Sequence, residues 1–137
     1  MAHISWRAEY SVNVKVIDDQ HKHFFAILDE VYDSFSSIDS AREMRGIIEK
    51  LIEHVHVHFS TEEGYFDQFH CVEIDEVTHR EKHREFTEQV LDLKRRYEDG
   101  QADLLADAAE LMENWLIQHI MTYDKKYMAC FAEHGLH

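Results

Sequence analysis

Four stretches of this chain carry apolar residues at alternating steps of three and four, the spacing that gives an α-helix one buried face. In the first, Phe24, Phe25, Leu28, Val31, Tyr32 and Phe35 form the stripe, and Asp18 or Asp19 is expected to cap a helix running to about Phe35. In the second, Ser40 and Glu43 have the spacing of a capping box, and Met44, Ile48, Leu51, Val55, His58 and Glu62 share the face that follows. A loop is predicted from about Gly64 to Glu73. His79, His83, Phe86, Val90, Leu93 and Tyr97 make the third stripe, which Gly100 ends. The fourth begins near Ala102 or Asp103 and holds Leu105, Ala108, Met112, Trp115 and His119.

The ends behave differently. Trp6, Tyr10, Val12, Val14, Val16 and Ile17 alternate like a strand, yet no second strand exists to pair with them, so an extended arm packed on the helices is expected. Residues 125–137 carry Tyr127, Met128, Cys130 and Phe131, enough for a short helical segment. Short loops between four comparable helices predict an all-α fold. Its form is an up-down-up-down antiparallel four-helix bundle, one domain over residues 1–137.

Composition agrees and narrows the partners. Proline is absent and only four glycines occur, so the turn punctuation of a β-protein is missing. A formal charge of -14 repels phosphate backbones and anionic membranes, and the short Lys94-Arg95-Arg96 run does not offset it. Nucleic acid is therefore not an expected partner. The N-terminus lacks the apolar run of a secretory signal, and no stretch approaches the ~18 apolar residues of a membrane helix. No membrane insertion and a cytoplasmic location are expected. Cys71 and Cys130 lack CxxC spacing and read as reduced packing residues.

The chemistry lies in what interrupts the stripes. His21, His58, Glu62, His79, His83 and His119 occupy core positions, and Asp124 follows His119 by five residues. Five residues are about 140° of an ideal helix, so Asp124 joins the others only near a helix end or distortion. With 12 histidines and 28 acids in the chain, single HxxxH or HxxxE pairs are expected by chance. Joint placement on four apolar faces is not, because uncompensated burial costs on the order of 1 to 3 kcal/mol per polar group. Metal ions would satisfy all seven. His3, His23, His56, His70, His134 and His137 read as exposed, while His54, one turn before His58, is either a supporting partner or a spare ligand.

Seven ligands exceed one tetrahedral zinc, and neither His54/His58 nor His79/His83 has the Glu of HExxH. Two six-coordinate ions sharing carboxylates would use them all, and imidazole with carboxylate suits iron. A ferritin-like site would use ExxH motifs, and Glu53/His56 and Glu76/His79 have that form. It fails on phase, since His56 lies about 160° from His58 around the helix.

Several segments together resemble the hemerythrin family, specifically its single-domain bacterial members. They are Trp6 with Tyr10-Ser11-Val12, Ile17 to Lys22, His58-Phe59-Ser60-Thr61-Glu62-Glu63, His79 and His83 before Phe86, and Trp115 to Ile120 leading to Asp124 and Tyr127. Asn13 stands where the family commonly has Gly, His54 where it commonly has an aromatic, and the stretch from Glu62 to His79 is slightly long. The resemblance implies a non-haem di-iron centre, oxo- or hydroxo-bridged, that binds O2 reversibly. By the family pattern His79, His83 and His119 hold one iron, His21 and His58 the other with an open position, and Glu62 and Asp124 bridge them. Phe24, Phe59, Trp115, Leu116 and Ile120 would line the O2 pocket and exclude water, a role compatible with being core. The function so implied is an O2 carrier, store or supplier and not an enzyme. An O2 or redox sensing module and a di-iron peroxidase or oxidase are the alternatives.

Overall fold

The computed structural model describes residues 3–72, 74–101 and 103–137. Among them the regular structure is entirely helical: α1 is Lys15–Ser34, α2 Ser40–Phe69, α3 Glu76–Glu98, α4 Leu105–Thr122 and α5 Met128–Glu133, with 3-10 turns at Ala8–Tyr10 and Asp124–Tyr127. Helix α1 packs on α2 and α4, and α3 packs on α2 and α4, closing a four-membered ring. Ligand candidates near the start of α1, the end of α2, the start of α3 and the end of α4 meet at one level. Only alternating helix directions allow that, so the predicted bundle is the fold.

Several local expectations are corrected. Helix α1 starts at Lys15, before either predicted cap, with Val14 in the cap position. Asp18 instead reaches back to the arm, accepting from the Val12 N–H at 2.9 Å and the Ser11 hydroxyl at 2.6 Å. Between them Asn13 adopts φ 61, a left-handed conformation that Asn tolerates better than most residues and Gly better still. At α2 the cap position belongs to Asp39, and Glu43 accepts from the Ser37 hydroxyl at 2.9 Å in place of completing a box with Ser40. The predicted loop from Gly64 is helix as far as Phe69, capped by His70 at φ 50. A mid-helix Gly costs about 1 kcal/mol, and burying Phe66 outweighs it. For α4, Asp103 precedes the first helical residue by two, and Ala102 lies outside the described residues.

The apolar interior is in two parts. The larger contains Phe24, Leu28, Leu51, Val55, Phe86, Val90, Met112 and Leu116, and Trp6 of the arm packs against it. The smaller, at the other end, contains Val12, Val14, Ile17, Phe66, Ile74, Tyr127 and Phe131. Within it Cys71 and Cys130, both buried, are joined by a disulfide with Cα atoms 5.9 Å apart. The expectation of two reduced thiols is thus overturned: 59 residues of separation hid a contact that the return of the C-terminal segment creates. No helix among the described residues is long and apolar enough to cross a membrane.

Candidate metal centre

Each bundle helix carries one polar stretch along its buried face. On α1 the order is Ile17, His21, Phe24; on α2 it is Val55, then His58 and Glu62, then Phe66; α3 places His79 and His83 before Phe86; α4 runs from Leu116 to His119. The polar residues therefore form a layer between the two apolar clusters. Asp124 completes it because α4 stops at Thr122 and the chain tightens into the 3-10 turn that begins there. That is the helix end its spacing required. All seven side chains are buried, Glu62 and Asp124 completely.

Their ligand atoms fall into two overlapping groups, each within 4.8 Å: Glu62, His79, His83, His119 and Asp124 in one, and His21, His58, Glu62 and Asp124 in the other. Both groups contain both carboxylates. Glu62 turns Oε1 toward His58 Nε2 at 2.6 Å and His21 Nε2 at 3.7 Å. Its Oε2 faces His79 Nε2 at 3.4 Å and His83 Nε2 at 3.7 Å. Asp124 likewise directs Oδ2 to His21 at 3.1 Å, and Oδ1 to His79 at 2.9 Å and His119 at 3.2 Å. Each carboxylate thus offers one oxygen to each group.

Two hydrogen bonds aim the rings. His58 Nδ1 lies 2.7 Å from Gln20 Oε1, and His83 Nδ1 lies 2.8 Å from Glu63 Oε2, so both present Nε2 to the interior. Arg80 pairs with Glu63 at 3.2 Å and Gln20 donates to the Thr61 hydroxyl at 3.1 Å, fixing the supports in turn. Gln20 and Glu63 lie within the segments that carry the family resemblance, next to His21 and Glu62, but the sequence alone assigned neither a role. Phe59 stacks on His83 at 3.9 Å and Trp115 on His119 at 4.0 Å, while Phe24 packs 5.7 Å from Phe86 and Leu116 and Ile120 are buried alongside. Trp115 is half-buried.

His54 is buried behind the layer and belongs to neither ligand group. Its ring stacks 5.5 Å from His58, sits 5.4 Å from surface His23 and edges Phe24 at 5.0 Å. The other side lines an open groove of about 930 Å³ between α1 and α2. His56, by contrast, is exposed, as are His3, His23, His70, His134 and His137.

The two carboxylates and the imidazoles around them shift one another's ionisation. Burial disfavours ionisation of Glu62, yet His58, His21 and His79 hold its carboxyl well below the usual range. Burial and the Glu62 charge both oppose ionisation of Asp124, and His119 and His21 still keep it low. Burial disfavours imidazolium at His21 and His79, but the two carboxylates outweigh it and raise both to about 9. For His58 burial prevails, and its pKa is lowered. Even so, His21 Nε2, His83 Nε2 and all four oxygens of Glu62 and Asp124 lack a well-aligned hydrogen bond among the described residues. Buried acceptors left this way are rare unless something else meets them. Five nitrogens and two carboxylates aimed at two shared points fit a pair of octahedral cations with nitrogen and oxygen preference.

Comparison with known proteins agrees. The chain is 29% identical to bacteriohemerythrin of Methylococcus capsulatus over 133 residues, 96% of this chain and 99% of that protein. It is 27% identical to a hemerythrin-like protein of Naegleria gruberi, over 90% of this chain and 89% of the relative. Bacteriohemerythrin of Pseudomonas aeruginosa is 26% identical, over 93% of this chain and 81% of the relative. Residues 12–131, which include all seven layer residues, match the family description "Hemerythrin HHE cation binding domain", and the chain belongs to the hemerythrin family.

Proposed function

We propose that the chain binds O2 reversibly at a non-haem di-iron centre and works as a carrier, store or supplier of O2 in a cytoplasm. The observation that carries this reading is the pair of ligand groups sharing Glu62 and Asp124, one oxygen of each carboxylate per group. In this reading His79, His83 and His119 would hold one iron and His21 and His58 the other, with Glu62 and Asp124 offering one oxygen to each. The His21 and His58 side supplies one nitrogen fewer, which would leave room there for O2. Such a pair of irons would supply the electrons that O2 takes up on binding.

The chain's own residues do the rest. Gln20 and Glu63 keep the imidazoles of His58 and His83 aimed, and such supports are typically worth 10- to 100-fold in metal affinity. Phe24, Phe59, Trp115, Leu116 and Ile120 surround the layer with apolar surface and exclude water, which slows loss of the electrons to solvent chemistry. An enzyme needs a proton donor there. His54 is a poor one: burial and the neighbouring His58, His23 and His21 push its pKa down to about 2, so it is neutral at pH 7.

The test is to load the protein with iron(II) without oxygen, admit O2, and follow the visible absorption through repeated removal and readmission. Reversible cycling is the expected outcome. Immediate irreversible oxidation with release of peroxide would overturn the proposal.

A further inference from the structure

Away from the layer, a second set of metal-capable side chains occupies the smaller apolar cluster. Cys71 follows the cap of α2, Cys130 lies in α5, and His134 caps α5, and one ligand atom of each falls within 4.8 Å of the others. Both sulfurs are buried and the imidazole is exposed. His134 Nδ1 lies 3.7 Å from Cys130 Sγ and 2.8 Å from the Cys130 carbonyl oxygen. That carbonyl also accepts the His134 backbone N–H at 3.2 Å, so it stays satisfied if the imidazole turns away. Phe69 stacks on the ring at 4.5 Å, and the Phe69–Phe131 and Tyr65–Phe131 pairs at 5.6 and 5.5 Å wall the site with apolar surface.

We propose that Cys71, Cys130 and His134 form a second metal site, independent of the carboxylate-bridged centre, which takes a thiophilic divalent cation such as Zn2+ once the disulfide is reduced. Two thiolates and one imidazole with an open fourth position are a standard zinc donor set. A Cα separation of 5.9 Å lets the freed sulfurs diverge by side-chain rotation with little backbone movement. The chemistry balances in two steps. Two equivalents of a low-molecular-weight thiol reduce the Sγ–Sγ bond, giving the two cysteine thiols and the oxidised thiol as its disulfide. Binding of M2+ then displaces one proton from each thiol, while His134 contributes a lone pair in the tautomer whose hydrogen is on Nε2. Thiol–disulfide exchange of the metal-free pair with a low-molecular-weight disulfide, which takes up the two electrons and two protons and leaves as two thiols, restores the Cys71–Cys130 bond, so the site exists only in a reducing compartment.

The experiment uses the full-length, iron-loaded protein, reduced with a dithiol, desalted without oxygen and titrated with Co2+ as a spectroscopic substitute for Zn2+. The expected result is one additional equivalent bound, with a thiolate-to-cobalt charge-transfer band in the difference spectrum that Zn2+ abolishes. The same titration of the oxidised protein, and of reduced Cys71→Ser, should show no such band, and His134→Ala should bind at least about tenfold more weakly. Far-UV circular dichroism reports whether each variant retains its helices, and Cys130→Ser serves if Cys71→Ser does not. A band that survives in the folded serine variant, or no band in reduced wild type, overturns the site and leaves a structural disulfide only. Unchanged affinity in His134→Ala removes the imidazole from it.

Discussion

At the scale of single residues, helical phase decides which histidine matters. His56 and His58 are two positions apart, yet one is in solvent and the other touches Glu62 at 2.6 Å. His58→Ala should abolish stable O2 binding, whereas His56→Ala should leave it intact, as read from the oxygen-cycling spectrum; equal damage would contradict the assigned faces. Glu63→Ala removes the acceptor that aims His83, and iron affinity should fall 10- to 100-fold with helicity unchanged. His54 contributes to the pH dependence of stability. In the unfolded chain it titrates near 6.5, in the fold near 2, so its neutral burial stabilises the protein fully above 6.5 and less as pH falls below that value. Metal-free His54→Phe should therefore lose less stability than wild type between pH 7 and 5, by up to about 1.4 kcal/mol per pH unit in denaturant titrations. Parallel pH profiles would rule that out.

At the scale of elements, the helices and most of their inward faces were legible in the sequence because apolar spacing reports burial; Phe35, expected on the buried stripe of α1, instead caps its end and is exposed. Their ends were less so. Asp18 and Glu43 have the chemistry of helix starts, but each serves a segment before the helix, the Ser11–Val12 arm and the Ser37 turn, which one-dimensional spacing does not reveal. Gly64 reads as a break, yet beyond it Phe66 is buried and Tyr65 and Phe69 pack partly buried against Phe131 of α5, a partner more than sixty residues away. The Cys71–Cys130 bond was hidden for the same reason. The arm offers a direct check on local geometry. Asn13→Ala places an ordinary residue at φ 61 and should destabilise by about 1 kcal/mol, while Asn13→Gly should be neutral or better in thermal unfolding.

At the scale of the whole molecule, the layer of seven polar residues is a weakness that metal converts into a joint. Buried acceptors without aligned donors destabilise the metal-free bundle, and ions bound only by the folded form stabilise it by mass action. Removing iron with a chelator should lower the thermal midpoint, and readdition of iron(II) should restore it; an unchanged midpoint would mean that the layer holds no structural ion.

The two apolar clusters on either side of that layer have a further consequence, for cooperativity. One contains most of the bundle; the other is a small cap of arm, helix ends and C-terminal segment, held by a covalent link. With metal the two are coupled through ligands on all four helices and should open together. Without it, amide hydrogen exchange should separate them into two units, each opening at its own free energy, with the boundary running through His21, His58, His83 and His119.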